Sequence, residues 1–264
     1  MKKMENPLEL IKSIQKPTKS DSLISEYILE NPVEVVRQNL SSLAKSTKTS
    51  NTAIMRFCQK IGYQGFSEFK YDLSRYILSG ESSSTQNSEN PADISDRIGH
   101  ITDKYVQYLN RLNAELDIDE TKALVKSICT SKRIVILGFN RTGLSAKQLS
   151  LRLGKIGISS QSIVDYPVMV DYSNILSKDD LVVVFSISAA SMYKDVCKQM
   201  KQSGCNVVLI TMTPQSNLKN NVTSTIVLPR ISRSGDISFL DDQAIFFVLI
   251  EILVGETAVY LRKS

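Results

Sequence analysis

From residue 123 onward the apolar residues change rhythm, and that change limits the fold more than any other feature of the chain. Short β-rich runs at Arg133–Leu137, Leu181–Phe185, Asn206–Thr211 and Thr225–Leu228 alternate with segments of helical spacing at Gly143–Ile156 and Tyr193–Ser203. Such alternation predicts βαβ units, because parallel strands are joined only through a crossover long enough to hold a helix. The expected product is an α/β domain, a parallel sheet flanked by helices. The last apolar segment, Phe239 to Leu261, carries Asp241, Asp242, Glu251 and Glu256. Those charges predict a buried helix between layers or subunits and no membrane span.

Before residue 80 the pattern is purely helical. Leu8, Ile11 and Ile14 form a short stripe, and Leu23, Ile24, Tyr27 and Ile28 recur on one helix face. Asn31-Pro32 ends that helix, since the residue before proline avoids the α region, and Pro32 is suited to open the next. Gly80 to Asp93, GESSSTQNSENPAD, is poor in apolar residues and reads as a linker. Ile98, Ile101, Tyr105, Tyr108 and Leu112 then mark a connecting helix within Ile94–Leu116. The expected organisation is an all-α domain over 1–79, a linker and connecting helix over 80–122, and the α/β domain over 123–264. A chain of 264 residues accommodates two domains.

The net charge of +5 is unevenly spread. Residues 41–80 hold 6 basic against 2 acidic residues, whereas 81–122 hold 4 against 9. A basic block followed by an acidic connector suits a polyanion partner, although chance scatter gives the same counts. The N-terminus has two lysines but neither an apolar stretch nor a small-residue cleavage site, so no signal peptide is expected. The cysteines at 58, 129, 197 and 205 form no C-x-x-C pair, and the chain has one histidine. Zinc and disulfide frameworks lack their ligands; no metal or cofactor is expected.

Leu40 to Gly62, LSSLAKSTKTSNTAIMRFCQKIG, has the spacing of a helix-turn-helix. Leu43 and Ala44 sit in the first helix, and the small Ala44 lets a second helix cross closely. Ile54 and Phe57 are expected to pack back onto it. Ser50 is a good N-cap for the second helix. In that helix Ile54, Phe57, Cys58 and Ile61 share one face, while Asn51, Thr52, Met55, Arg56, Gln59 and Lys60 fall on the others. Asn, Thr and Arg turned outward on the first turns suit base edges in a major groove. Lys48 and Lys60 are placed to meet phosphates. An ordinary surface helix has a similar composition, and Arg56, on the second turn, could instead hold the fold or a phosphate.

The stretch Ser50 to Phe66 followed by Glu68-Phe69-Lys70 resembles the winged-helix-like DNA-binding domain of the RpiR/MurR family of transcription regulators. Arg56-Phe57-Cys58, Gly62-Tyr63-x-Gly65-Phe66 and Glu68-Phe69-Lys70 carry the resemblance, which spans about residues 8–78. Thr52-Ala53 stands where the family more often has the two in the other order. The resemblance implies double-stranded operator DNA as a partner. The candidate contacts are Lys48, Ser50, Asn51, Thr52, Arg56, Lys60 and Gln64.

Two loops follow strands in the second domain. Gly138-Phe139-Asn140-Arg141-Thr142-Gly143 follows IVIL, and Ser186-Ile187-Ser188-Ala189-Ala190-Ser191 follows LVVVF. In a parallel sheet both lie at the carboxyl ends of strands, where ligands bind, and each opens a helix whose free N–H groups attract a phosphate. Thr142, Ser186, Ser188 and Ser191 offer hydroxyls; each alone could equally be a helix cap. Asn140 replaces the middle glycine of G-x-G-x-x-G, so a dinucleotide site is not expected. Together the loops resemble the SIS (sugar isomerase) fold over about residues 123–262, with Lys155–Ile158 and Leu209-Ile210-Thr211 also fitting. The resemblance implies a phosphosugar pocket lined by Thr142, Ser186, Ser188 and Ser191; Asn140 and Arg141 are candidate contacts of an altered pocket that takes a different ligand, the alternative being weakened binding. Asn140 and Ala189 stand where the family usually has glycine, and each added Cβ narrows the backbone approach to a phosphate.

These features lead to the expectation of a cytoplasmic regulator of carbohydrate-metabolism genes that binds DNA, senses a phosphosugar and assembles as a homodimer or homotetramer. The alternatives are a SIS-type isomerase and a scaffold that only oligomerises. Isomerisation needs a proton-moving base. His100 lies in the connecting helix, neither loop has an acidic residue, and Ala190 stands near where some SIS proteins present a glutamate; Asp165, Asp241 and Asp242 remain as acids that could lie near the pocket.

Overall fold

The computed structural model describes residues 6–78, 94–231 and 240–263. The linker expected at 80–93, and Phe239 at the start of the expected last helix, lie outside them. Two compact units are present, one containing the described residues up to Thr102 and the other built from Asp103–Ile231 and the segment from Asp241.

In the first unit, residues 6–78 form six helices: α1 (Pro7–Lys12), α2 (Lys19–Glu30), α3 (Pro32–Arg37), α4 (Leu40–Ser46), α5 (Asn51–Lys60) and α6 (Phe66–Leu78). Local chemistry sets their ends. Thr18 and Asp21 close a capping box at the start of α2. Asn31 ends α2, and Pro32 opens α3. Asn39 caps α4 by accepting from the Ser42 N–H. Ile24, Ile28, Val35, Leu43, Ile54, Phe57, Phe69 and Leu73 are fully buried and join α2 to α6 in one core. Leu23, expected on the same buried face, is instead exposed. No β-strand, and so no β-wing, occurs among residues 6–78.

Helix α7 (Ile94–Glu115) covers the segment expected to be helical, but only Tyr108 and Leu112 of its expected stripe are buried; Ile98 and Ile101 are exposed. The second compact unit begins at Asp103, within this helix. Helix α8 (Ile118–Thr130), which the sequence reading did not separate, runs across the expected boundary at 122/123.

The remaining elements are β1 (Arg133–Gly138), α9 (Arg141–Gly154), β2 (Gln161–Ile163), α10 (Tyr166–Ser173), β3 (Asp180–Phe185), α11 (Lys194–Gln202), β4 (Asn206–Thr211), β5 (Ser224–Val227) and α12 (Ala244–Lys263). All strand pairs are parallel, in the order β2-β1-β3-β4-β5. Side chains alternate across the sheet. Val135, Leu137, Val182 and Val184 join a core with Met169 of α10 and Val196 and Met200 of α11. On the α12 side Phe185 meets Phe246 edge-on, with ring centroids 5.3 Å apart. Helix α12 has a mean hydropathy of 2.1 and is long enough to cross a membrane by length and composition alone. It instead packs against α8 and α9, burying Ile245, Phe246, Leu249, Ile250 and Leu253. Glu251 of α12 pairs with Arg152 of α9.

Candidate functional site

Helix α5 divides its residues cleanly. Ile54, Phe57 and Cys58 are buried, whereas Asn51, Thr52, Arg56 and Gln59 are exposed. The Ser50 hydroxyl accepts from the Ala53 N–H at 3.1 Å, so the expected N-cap is present. Lys48 is exposed in the turn between α4 and α5 and takes the left-handed backbone conformation, with φ of 53°. Lys60 is placed differently from expectation. Its ammonium lies 2.7 Å from Asp21, whose side chain is only 11% exposed, and so ties the end of α5 to the start of α2. Burial pushes the Asp21 carboxyl up, but Lys60 and the Thr18 backbone and hydroxyl together hold it below the ordinary carboxylate value.

Most of the motif residues after Arg56 make the fold. Gly62 adopts φ of 96°, and a Cβ on Gly65 would come within 2.7 Å of Met55 Cε. Tyr63 is buried edge-on against Phe69. Lys70 donates to the Gln38 carbonyl at 2.8 Å. Gln64 is exposed, and its N–H donates to Glu68, near the start of α6.

In the second unit the order β2-β1-β3-β4-β5 reverses direction between β1 and β3. Open parallel sheets bind ligands outside the carboxyl ends of strands at such a switch point. The two hydroxyl-bearing loops leave those two strands, and Gly138 pairs in register with Phe185, so the loops start side by side. At the first loop a Cβ on Gly138 would meet the Thr142 carbonyl oxygen at 2.4 Å, which only glycine avoids. Asn140 adopts φ of 52° and ψ of −122° without a side-chain cap bond. Thr142 accepts from the Phe139 N–H at 3.1 Å and donates to the Phe139 carbonyl at 3.0 Å. Arg141 is 65% exposed and reaches Asp241 at 2.9 Å.

Asp241 belongs to a tied segment ahead of α12. Tyr105 of α7 donates to its carbonyl, Tyr108 donates to the Asp242 carbonyl, and Gln243 donates to the Arg141 carbonyl and the Ser145 hydroxyl. The Asp242 carboxylate is buried and accepts from the Ile231 N–H. The first loop is therefore joined through 241–243 to the C-terminal half of the connecting helix.

At the second loop Ser186 is buried, and its hydroxyl accepts from the Ala190 N–H at 3.0 Å. Ser188 and Ser191 are exposed, and neither hydroxyl is engaged by a described neighbour. Ala189 holds φ of 49°. Thr211, Met212 and Thr213 all donate to the Ile187 carbonyl, fixing the loop to the end of β4. Thr213 was not anticipated. Neither was Lys147, which lines an open depression of about 240 Å³ with Phe139, Asn140, Gly143, Leu144 and Val164. That depression lies on the β2 side of the first loop, and its lining contains none of the second-loop serines. Burial pushes the Cys58, Cys197 and Cys205 thiols up to about 12, which suits packing and not nucleophilic or ligand chemistry.

The rpiR-family helix-turn-helix domain model matches residues 5–80, and the SIS domain model matches residues 127–235. An HTH-type transcriptional regulator of Clostridium perfringens is 27% identical over 205 residues, covering 76% of this chain and 73% of that one. One from Haemophilus influenzae is 28% identical over 222 residues, covering 82% and 77%. Among solved structures, the Vibrio vulnificus NanR protein complexed with ManNAc-6P has a TM-score of 0.58 at 21% identity, covering 98% of this chain and 93% of that one. The RpiR transcription factor of Sphaerobacter thermophilus, solved as its sugar isomerase domain, has a TM-score of 0.55 at 16% identity, covering 62% and 90%.

Proposed function

The chain belongs to the helix-turn-helix regulators of the rpiR family that carry a SIS domain, and we propose from that premise that it binds operator DNA through α5 and is controlled by a phosphosugar held at the β1 and β3 loops. The observation that carries this reading is one chain joining an outward polar helix face to hydroxyl-bearing loops at a sheet's switch point. Asn51, Thr52 and Arg56 read base edges. Ser50, Lys48 and Gln64 lie along the phosphates. Lys60 supports α5 through Asp21.

At the loops, Ser188 and Ser191 meet the phosphate, Ser186 holds the loop that presents them, and Thr142 with Asn140 and Arg141 faces the sugar. The ManNAc-6P complex of NanR supports this ligand class. Arg141, tied to Asp241 and so to the Tyr105 carbonyl contact, carries occupancy toward α7. The target genes serve carbohydrate metabolism, and the protein works in the cytoplasm. Exposed Leu144 and Leu151 on α9 and Phe247 on α12 supply surface for a homodimer or homotetramer, which matches palindromic half-sites.

An isomerase reading has less to draw on. No histidine occurs from Asp103 onward, Asp242 accepts from the Ile231 N–H and Asp241 is paired with Arg141, which leaves the exposed Asp165 at the start of α10 as the acid such a reading would need. Thermal shift of the full chain against a phosphosugar panel tests the proposal, since a ligand of the native state stabilises by mass action. A shift with one or more sugar phosphates and no turnover supports it. Turnover of a sugar phosphate overturns the regulator-only reading, and no shift with any of them removes the effector.

A further inference from the structure

Tyr193 ends the short 3₁₀ turn Ser191–Tyr193 after the second loop, is 1% exposed, and has a hydroxyl with no hydrogen-bond partner. Buried polar atoms are rarely left unpaired, so such an atom asks for a reason. Because β1 and β3 are neighbours, this oxygen reaches across to the first loop, beside the Thr142 hydroxyl and the Phe139 N–H but outside bonding geometry with either. Those two groups now satisfy each other: Phe139 N–H donates to Thr142, and Thr142 donates back to the Phe139 carbonyl. A second buried atom without a partner, Gln243 Oε1, borders the same loop, on a side chain whose amide nitrogen holds Arg141 and Ser145. The start of α9 is thus flanked by two reserve hydrogen-bonding oxygens.

Thr142 cannot give its hydroxyl to a ligand without breaking its bonds within the loop. Turning it outward frees the part-buried Phe139 N–H, and a donor left without a partner where water reaches it only in part is costly. We propose that Tyr193 is a positioning residue of the effector site: when Thr142 turns its hydroxyl to a phosphosugar oxygen, the Tyr193 hydroxyl accepts the freed Phe139 N–H. Tyr193 does not touch the ligand; it lowers the cost of the Thr142 movement. This inference rests on the reading that the two loops bind a phosphosugar.

The test is calorimetric titration of the full chain with a panel of pentose and hexose phosphates that includes ManNAc-6P, followed by thermal melts without ligand. Tyr193→Phe should weaken binding of the best panel member roughly three- to tenfold, the value of one hydrogen bond. It should leave the ligand-free melting temperature unchanged or raised, because the variant removes a hydroxyl that has no partner. Thr142→Val should also weaken binding, and Tyr193→Phe added to Thr142→Val should cost nothing further, as coupled neighbours behave in a double-mutant cycle. Equal affinity of Tyr193→Phe and wild type would overturn the inference alone. Additive losses in the double variant would also overturn it, by showing that Tyr193 acts without Thr142. Wild type that binds no panel member would overturn both this inference and the phosphosugar reading.

Discussion

Helix α5 and the loop after β1 each join a buried side to an exposed one, and they divide the labour differently. In α5 the residues that build the fold and those offered to a partner are different side chains: Ile54, Phe57 and Cys58 are buried while Asn51, Thr52 and Arg56 are exposed. In the loop one stretch of backbone does both jobs. Gly138 must pass so close to the Thr142 carbonyl for the strand to turn into α9 that a Cβ there would sit 2.4 Å from its oxygen, and Asn140 must hold φ of 52°. A helix surface can therefore change its partner by exchanging outward side chains. A strand-end loop has less freedom, because part of its approach to a ligand is made by backbone that the fold also needs.

The contrast is sharpest at two adjacent residues. Phe57 is fully buried, so Phe57→Ala should destabilise the first unit by about 3–5 kcal/mol. Thermal melts would show a large loss of stability for that variant and almost none for Arg56→Ala, because an exposed substitution usually stays within about 0.5 kcal/mol. A comparable loss of stability in both variants would break the division of labour in α5.

Affinity should follow the opposite order. Arg56→Ala or Asn51→Ala should cost about 1–3 kcal/mol of operator binding if each meets a base edge, and should relax preference at one base pair. Lys48→Ala should weaken all DNA alike and flatten the salt dependence. Fluorescence anisotropy at several salt concentrations separates the two behaviours.

In the loops the expected effects are smaller and of the other sign. Non-glycine residues in the left-handed region carry strain of about 1–2 kcal/mol, partly offset by the extra flexibility a glycine brings to the unfolded chain. Asn140→Gly and Ala189→Gly should therefore each leave stability unchanged or raise it by up to about 1 kcal/mol. Ala189→Gly should also tighten phosphosugar binding by opening the backbone to the phosphate. Asn140→Gly should weaken it, because the asparagine side chain faces the sugar; tighter binding would show that its Cβ only narrows the approach.

The smallest effect concerns Lys60 and Asp21. The Asp21 carboxyl is held below its unfolded value of about 3.9, so its contribution is complete above that pH and is lost as pH falls through the folded value. The half-exposed Lys60 limits the pair to about 1 kcal/mol or less. Asp21→Asn keeps a capping acceptor but removes the charge, and acid melts should show a flatter low-pH profile for it.

What the sequence made legible is what short-range physics controls. The Ser50 cap, the face shared by Ile54, Phe57 and Cys58, and the alternation of β1, β3 and β4 with α9 and α11 are all decided within a few residues. Strand β2 was missed because Gln161–Ile163 is too short to show a period. The partnerships were missed for a different reason. Lys60 meets Asp21 39 positions away, Arg141 meets Asp241 100 positions away, and Tyr193 reaches the first loop only because β1 and β3 are neighbours. No local pattern encodes such pairs, so Lys60 was expected to face DNA, while Tyr193 and Lys147 drew no notice.

The central claim is that one protein couples a DNA-reading helix to a sugar-phosphate site, and it is tested most directly by titrating operator DNA into the full chain with and without saturating phosphosugar. Coupled sites typically change each other's affinity by about 5–150-fold, and the change is reciprocal. The account predicts a shift of that size in operator affinity, in either direction, which is lost in Ser188→Ala because the phosphate contact goes while α5 stays intact. An operator affinity that stays constant at every phosphosugar concentration, in a protein shown to bind that phosphosugar, would contradict it.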